Sequence, residues 1–245
     1  MDKDKPIIAL DFDSKEKAVD FLNLFSDESL NVKIGMELFY STGPDFVKEV
    51  VARGHKVFLD LKLYDIPNTV QSAMSNLAKL GVSIIDVHGS GGIDMMKAAK
   101  EGLLAGVNEG EPIPKLIAIT QLTSRDPKTN AKEQQLAVSQ EESILHLAHL
   151  TSESGLDGVV CSPLEVRRLK KEIAGDFLMI TPGIRLKDQN IQNDDQIRIT
   201  TPQLAAEWGS DYIVVGRPIT KAPNPVEVYH KVLNEWQMAL KGAQV

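Results

Sequence analysis

The stretch 57-VFLDLKLYDIPNT-69 joins an apolar, strand-like run to the start of a helix-like segment. Its apolar residues form a nearly continuous run, which is typical of a parallel strand covered on both faces. Pro67 suits the first position of a helix, and helical spacing continues toward Gly81. The stretch therefore predicts a β-strand followed by an α-helix, with two carboxylates and one ammonium group near the junction.

The same alternation of apolar run and helix-like segment recurs along the chain. Eight runs are predicted to be strands: residues 6–11, 32–36, 56–63, 83–88, 115–120, 158–162, 177–181 and 212–216. Eight strands and eight helical segments in 245 residues match the size of a (β/α)8 TIM barrel. A doubly wound open sheet is the competing fold, but its G-x-G-x-x-G signature is absent after the first strand. Since no Pro-, Ser- or Gly-rich linker divides the sequence, we predict an α/β fold with one barrel domain over residues 1–245.

Composition limits the partners that the protein can have. Acidic residues outnumber basic ones by 34 to 27, for a net charge of −7, which argues against bulk binding to nucleic acid. The single cysteine, Cys161, excludes an intramolecular disulfide and is predicted to be a core residue. The sequence has neither a signal-peptide pattern nor an apolar window of about 20 residues. We therefore predict a cytoplasmic protein that does not bind membranes.

Two polar segments are too long to be simple turns. Residues 123–135 follow the fifth predicted strand, residues 185–198 follow the seventh, and both lack a helical period. Long loops in compact domains are usually mobile lids or disordered insertions. Because these loops would lie on the C-terminal face of the barrel, where active sites are found, we favour lids over insertions.

Charged side chains stand at the C-terminal ends of the first three strands. Asp11 follows the first strand, Lys33 lies in the second, and Asp60 and Lys62 face the same side of the third. Four charges of alternating sign in one small volume are costly unless every charge is paired. Flanking carboxylates favour protonated lysines, so Lys62 is predicted to be a cation and proton donor rather than an amine nucleophile.

Each of these charges also has a structural interpretation. Asp65 could simply stabilise the start of the next helix, and Asp60 with Lys62 could be a structural ion pair closing the barrel. The presence of Asp11 and Lys33 at equivalent strand ends favours a catalytic cluster. Three further residues at strand ends are predicted to be structural: Asp13, Asp86 and His88.

The last third of the chain contains a candidate anion site. TPGIR ends the seventh strand with Arg185, and VVGRPIT ends the eighth with Gly216 and Arg217. Loops after these two strands commonly bind phosphate in barrels, and an arginine fork matches phosphate oxygens. Arg217 could alternatively be a solvent-facing residue of a turn, but Arg185 nearby favours the anion site.

Several motifs resemble those of a known family. D-x-K-x-x-D in 60-DLKLYD-65, followed by IPNT, closely resembles the signature of the bacterial orotidine 5′-phosphate decarboxylase family. VKIGMELF, VHGSGG, TPGIR, DDQIRITTP and GSDYIVVGRPIT extend the resemblance over nearly the whole barrel. It implies a homodimeric enzyme of de novo pyrimidine synthesis that converts orotidine monophosphate to uridine monophosphate and CO₂ with no metal or organic cofactor.

The resemblance implies catalytic roles for the charged cluster. Lys62 would protonate C6, the carbon that loses CO₂, and Asp60 would lie against the substrate carboxylate. Lys33 would join this network and, with Asp11, hold the ribose hydroxyls. Asp65 would complete the catalytic set from the neighbouring subunit of the dimer.

The resemblance also implies substrate contacts elsewhere in the chain. Thr69 would reach the neighbouring active site together with Asp65, and Thr123 would contact the pyrimidine edge. Four residues would hold the phosphate group: Arg185, Gln196, Gly216 and Arg217. Gln196 is assigned over two other glutamines of the same loop, Gln189 and Gln192, because the following IRITTP matches the family.

Two other functions compete with this interpretation. Magnesium-dependent barrels resembling 3-keto-gulonate-6-phosphate decarboxylase share D-x-K-x-x-D but place a carboxylate where this chain has Lys33. A lysine at that position repels Mg²⁺, which prefers oxygen ligands. The second competitor is a non-catalytic nucleotide-binding barrel, which would bind nucleotide tightly without turnover.

Overall fold

The computed structural model describes residues 1–187 and 198–242, and in these ranges it contains a closed parallel barrel of eight strands in sequential order. The strands are β1 Ile7–Ala9, β2 Asn31–Gly35, β3 Lys56–Leu63, β4 Ile84–His88, β5 Lys115–Ile119, β6 Gly158–Val160, β7 Leu178–Thr181 and β8 Tyr212–Val215. β8 pairs with β1 and closes the sheet. The predicted (β/α)8 TIM barrel is confirmed, and each strand lies within its predicted run or one residue outside it.

Helices surround the barrel. They are α1 Lys15–Asn23, α2 Met36–Thr42, α3 Pro44–Ala52, α4 Pro67–Ala78, α5 Gly92–Gly106, α6 Pro127–Glu133, α7 Gln140–Glu153, α8 Val166–Glu172, α9 Pro202–Glu207, α10 Arg217–Thr220 and α11 Pro225–Gly242. None of the helices in the described ranges combines the length and apolar composition needed to cross a bilayer.

Local sequence signals explain where several helices begin. Ser14 caps α1 by accepting the amide of Lys17, and Ser139 forms a reciprocal capping box with Glu142 at the start of α7. Pro67 occupies the first turn of α4, where its missing N–H costs nothing.

Residues 123–135, which have no helical period in the sequence, nevertheless contain a helix. The segment contains α6, which begins after Asp126, whose side chain accepts the amide of Thr129 at 2.9 Å. Asn130 in this helix is fully buried, and its side-chain amide donates to Oε1 of Gln121 at 3.0 Å. A buried polar contact thus holds a helix that an apolar period cannot reveal. Most of the other predicted lid, residues 188–197, lies outside the described residues.

Helices α4 and α5 pack closely against each other. A Cβ atom added at Gly106 would lie 2.1 Å from the backbone oxygen of Ser75, and one added at Gly102 would lie 2.1 Å from that of Gln71. Only glycine allows the two helices to approach this closely.

The barrel interior changes from apolar to charged toward the C-terminal ends of the strands. Apolar side chains such as Ile7, Phe58 and Ile180 form one buried interior cluster. Because strand residues alternate between faces, Asp60 follows Phe58 on the inner face of β3. The fold therefore places charged side chains directly above an apolar floor. Cys161 is buried outside this interior cluster, and burial raises the pKa of its thiol to about 12.

Candidate active site

A cavity of about 540 Å³ opens at the C-terminal ends of the strands. Its walls include the four charged residues of the predicted cluster, Asp11, Lys33, Asp60 and Lys62. The barrel therefore brings together side chains from β2, from β3 and from the segment after β1, which are up to 51 positions apart in the sequence.

Asp60 is the centre of an ion-pair network. Its Oδ2 lies 3.1 Å from Nζ of Lys33, and its Oδ1 accepts a hydrogen bond from Nζ of Lys62. Lys33 also lies 3.2 Å from Oδ1 of Asp11. The side chains of Asp60 and Lys33 are only 10% and 13% exposed, whereas that of Asp11 is 55% exposed. The central pair is thus largely removed from water, and the outer carboxylate remains solvated.

The network keeps the central pair charged despite its burial. Burial alone would raise the pKa of Asp60, but the Lys33 ammonium and hydrogen bonds from its neighbours outweigh this and lower it. Burial likewise opposes a charge on Lys33, but the charges of Asp60 and Asp11 raise its pKa above the ordinary value. The site therefore contains a carboxylate held between two lysine side chains.

The backbone that carries Lys62 is irregular. Lys62 has a φ of 51°, and the pairing of β3 with β4 changes register between Leu59 and Leu63. Oδ1 of Asp86 accepts the amide of Leu61 at 2.9 Å and that of Lys62 at 2.7 Å. Asp86, which the sequence assigns only a structural role, therefore contacts the backbone of the central lysine. Its one signal in the sequence is an acid within the apolar run IIDV.

The predicted phosphate-binding residues also meet at the cavity. Arg185, Gly216 and Arg217 line it, and Arg217 begins α10 directly after β8. Arg185 is buried and its Nη1 donates to its neighbour's carbonyl, Ile184 O, at 2.8 Å. Gln196 lies outside the described residues. A Cβ atom added at Gly216 would lie 3.4 Å from Cβ of Ala9, so glycine leaves more open space on this side of the cavity.

Thr123 is buried and lines the cavity from the segment after β5. Gln121, which the sequence did not single out, lines it as well and contacts Asn130 of α6 and Ser143 of α7, the latter at 3.2 Å. Gln121 therefore ties the Thr123 segment to two helices. Its role was missed because a lone glutamine after a strand has no distinguishing pattern.

Asp65 and Thr69 do not line the cavity of their own chain. Both are exposed at the start of α4, and Oδ1 of Asp65 accepts the amide of Ile66 at 2.6 Å. His88 contacts the ring of Tyr64, and its Nδ1 accepts the amide of Ser90 at 3.2 Å. Burial, and then the charge of Lys62, lower the pKa of His88. These contacts agree with the structural role predicted for His88.

Known proteins are similar to this chain over most of its length. A family model described as Orotidine 5'-phosphate decarboxylase / HUMPS family matches residues 4–232. The orotidine 5′-phosphate decarboxylase of Staphylococcus saprophyticus is 55% identical over 234 residues, 96% of this chain and 99% of that protein. The Listeria innocua protein of the same name is 55% identical over 232 residues, 95% and 98% of the two chains. The crystal structure of orotidine 5′-phosphate decarboxylase from Lactobacillus acidophilus aligns with a TM-score of 0.84 and 44% identity, covering 95% of this chain and 98% of that one.

The closed barrel with paired charges at its mouth, taken with these relatives, defines a class of enzyme. It is a carbon–carbon lyase, a decarboxylase built on a (β/α)8 barrel. The chain belongs to the orotidine 5′-phosphate decarboxylase / HUMPS family. The family predicted from the D-x-K-x-x-D motif is thereby confirmed.

Proposed function

We propose that this chain converts orotidine 5′-monophosphate to uridine 5′-monophosphate and CO₂ in de novo pyrimidine synthesis, and that it does so without a metal ion. The observation that carries the proposal is the Asp60 carboxylate, largely buried and held between Lys33 and Lys62 at the mouth of the barrel. We take residues 1–245 as one catalytic domain, and its cytoplasmic location stays a prediction of the sequence.

Lys62 is the proton donor in this proposal. The bond between C6 and the carboxylate carbon breaks, CO₂ leaves, and the electron pair stays on C6. An sp² carbanion has little resonance stabilisation, so an adjacent ammonium group stabilises the developing charge and then transfers a proton to C6. Asp60 accepts a hydrogen bond from Lys62 and so holds its Nζ in one position. The same carboxylate is assigned to the place where the substrate carboxylate enters.

The remaining predicted contacts assign each part of the substrate to a different side of the cavity. Asp11 and Lys33 are assigned to the ribose hydroxyls, and Thr123 to the pyrimidine edge. The phosphate group is assigned to the end formed by Arg185, Gly216 and Arg217, with Gln196 as a fourth predicted ligand. Binding energy from this distant phosphate can favour closure of the site and expulsion of water.

The absence of a metal from the proposed reaction rests on the chemistry of the donors. In the part of the chain that the structure describes, His, Cys, Asp and Glu side chains form no group of three that could hold a metal ion. At the site itself, Lys33 stands between the two carboxylates Asp11 and Asp60. A magnesium ion prefers such oxygens, and the lysine ammonium repels it from both.

We further propose a homodimer in which Asp65 and Thr69 enter the neighbouring active site. Two large apolar side chains flank Asp65: Tyr64 is 64% exposed and Ile66 is 66% exposed. Exposed apolar groups at one site are typical of an interface between subunits. Equal mixing of the inactive Lys62→Ala and Asp65→Ala proteins, with subunit exchange, should restore about a quarter of wild-type activity, because each hybrid dimer has one intact site. Mixtures that stay inactive while hybrid dimers form would contradict a shared site.

The reaction itself is tested by the ultraviolet absorbance of orotidine monophosphate in the presence of EDTA. The wild-type protein should remove the orotate chromophore rapidly, and the Lys62→Ala variant should not. Lys48→Ala is the matched control, since Lys48 is exposed on α3, outside the cavity, and its ammonium lies 3.8 Å from the Asp45 carboxylate. If the wild-type protein leaves the absorbance unchanged, the proposal fails, and sugar phosphates with Mg²⁺ become the substrates to examine.

A further inference from the structure

Asp86 is a buried acid that the proposed reaction does not use. It lies in β4 between Ile85 and Val87, is fully buried, and does not line the cavity. It nevertheless contacts β3, since its Oδ1 accepts the backbone amides of Leu61 and Lys62. Its carboxyl also lies beside that of Asp60.

The two amides need this acceptor because the sheet cannot supply one. Between Leu59 and Leu63 the pairing of β3 with β4 changes register. The backbone amides in this segment therefore lack the regular carbonyl acceptors of a β-ladder. A buried amide without an acceptor is strongly destabilising. Lys62, with its φ of 51°, also needs an external contact to keep a conformation that a lysine rarely adopts. Oδ1 of Asp86 meets both needs, and so holds the backbone that aims Lys62 into the cavity.

Asp86 and Asp60 are neighbouring buried acids, and a second negative charge beside the first would be strongly disfavoured. Asp60 already accepts from Lys33 and Lys62, so it is the ionised member of the pair. Two carboxylates cannot hydrogen-bond to each other unless one of them carries a proton. Among the described residues, Oδ2 of Asp86 has no donor within hydrogen-bonding distance, so the proton belongs to Asp86.

The surroundings of Asp86 agree with a neutral acid. From β3 it faces the Asp60 charge and Lys62. From β5 its paired residue is Ile117, which has no charge. Burial, and next the charge of Asp60, raise the pKa of Asp86 well above its ordinary value.

We propose that Asp86 is a positioning residue that works as a protonated carboxylic acid. Its Oδ1 accepts the amides of the irregular β3 segment, and its O–H donates to Asp60. One uncharged group thus holds the Lys62 backbone and the Asp60 carboxylate in a fixed relation. This inference rests on the proposed function, because it assigns Asp86 to the support of the proton donor in that reaction.

Two variants distinguish a neutral, positioning Asp86 from an Asp86 whose negative charge is needed. Asp86→Asn keeps an oxygen to accept the amides and an N–H to donate to Asp60, so kcat should stay within about threefold of wild type. Asp86→Leu has a similar size without either function, so kcat should fall by about 100-fold, as expected for a misplaced proton donor. If Asp86→Asn loses as much activity as Asp86→Leu, a negative charge is needed at this position and the proposal is wrong.

The protonation state can be measured without substrate. The infrared spectrum of the wild-type protein at pH 7 should contain the carbonyl stretching band of a protonated carboxylic acid, shifted in D₂O and absent from Asp86→Asn. Identical spectra of the two folded proteins would overturn the proposal. Because this measurement does not depend on turnover, a wild-type protein that fails to decarboxylate orotidine monophosphate would refute the proposed function while the spectrum still decides the state of Asp86.

Discussion

Replacing Asp86 by Asn should make the stability of the protein less sensitive to pH. In the unfolded chain an aspartic acid ionises above a pH of about 3.9. In the folded protein, burial and the adjacent Asp60 charge keep Asp86 protonated to much higher pH. Between the unfolded pKa and the folded pKa of Asp86, the folded state therefore binds more protons than the unfolded state. The stabilisation from this bound proton is complete only below the unfolded pKa. As pH rises toward the folded pKa, the free energy of unfolding decreases.

The size of the effect follows from the proton count alone. One proton retained by the folded state changes the free energy of unfolding by about 1.4 kcal/mol per pH unit. As pH rises from 5 to 7, wild-type protein should therefore lose stability relative to Asp86→Asn at up to about 1.4 kcal/mol per pH unit. Asp60, whose pKa is lowered, is ionised in both the folded and the unfolded state above pH 5, so it adds no pH dependence in this interval.

Urea unfolding at pH 5, 6 and 7 measures this difference directly. Asp13→Asn is the control for substitution of an acid, since Asp13 is exposed and forms a surface ion pair with Lys17. This substitution should change the free energy of unfolding by less than about 0.5 kcal/mol. A difference between wild type and Asp86→Asn that does not vary with pH would show that Asp86 is ionised in the folded protein. A difference that grows toward acid pH would refute the reasoning as well.

Three further outcomes follow from the geometry. Lys33→Met should lower the free energy of unfolding by about 3–5 kcal/mol, because it removes a cation from the buried Asp60 carboxylate. Asp11→Asn, which changes the exposed partner of the same lysine, should lower it by less than about 1 kcal/mol. Urea unfolding at pH 7 measures both. Gly106→Ala should destabilise the protein by about 1–3 kcal/mol, because its Cβ meets the backbone of α4. Gly242→Ala should be neutral by the same measurement, since a Cβ there has nothing within 4 Å in the part of the chain that the structure describes. Arg217→Ala should lower kcat/KM for the nucleotide by an amount equivalent to about 2–5 kcal/mol of transition-state stabilisation. A substrate without the phosphate group should react equally poorly with the variant and with wild type. If the variant loses further activity on that substrate, the phosphate assignment is wrong.

Strand positions were predictable because a parallel strand buried on both faces must be apolar along its length. β3 occupies residues 56–63, as its run of residues indicates, and the other strands differ from their predicted runs mainly at the ends. The ends are less certain because the last residues of each run can leave the ladder and enter the loops at the barrel mouth. β1, for example, ends at Ala9 rather than at residue 11.

The helix α6 shows where sequence periodicity is insufficient. It has a good start signal, since Asp126 precedes Pro127, but it has no apolar stripe. Its one fully buried residue, Asn130, is polar and is stabilised by Gln121 from another segment. A contact between distant residues, rather than a repeat along the helix, decides that this segment is ordered.

The sequence by itself determined the barrel and which charged residues stand at its mouth, because apolar runs and strand-end charges are local properties of the chain. Only the tertiary structure decided how those charges pair: Asp60 lies between Lys33 and Lys62, and Asp11 stays at the solvated edge. It also decided that Asp86 supports the Lys62 backbone, since a change of register between β3 and β4 leaves no mark in either strand. Protonation depends on burial and on charges from neighbouring strands, and both exist only once the barrel is closed.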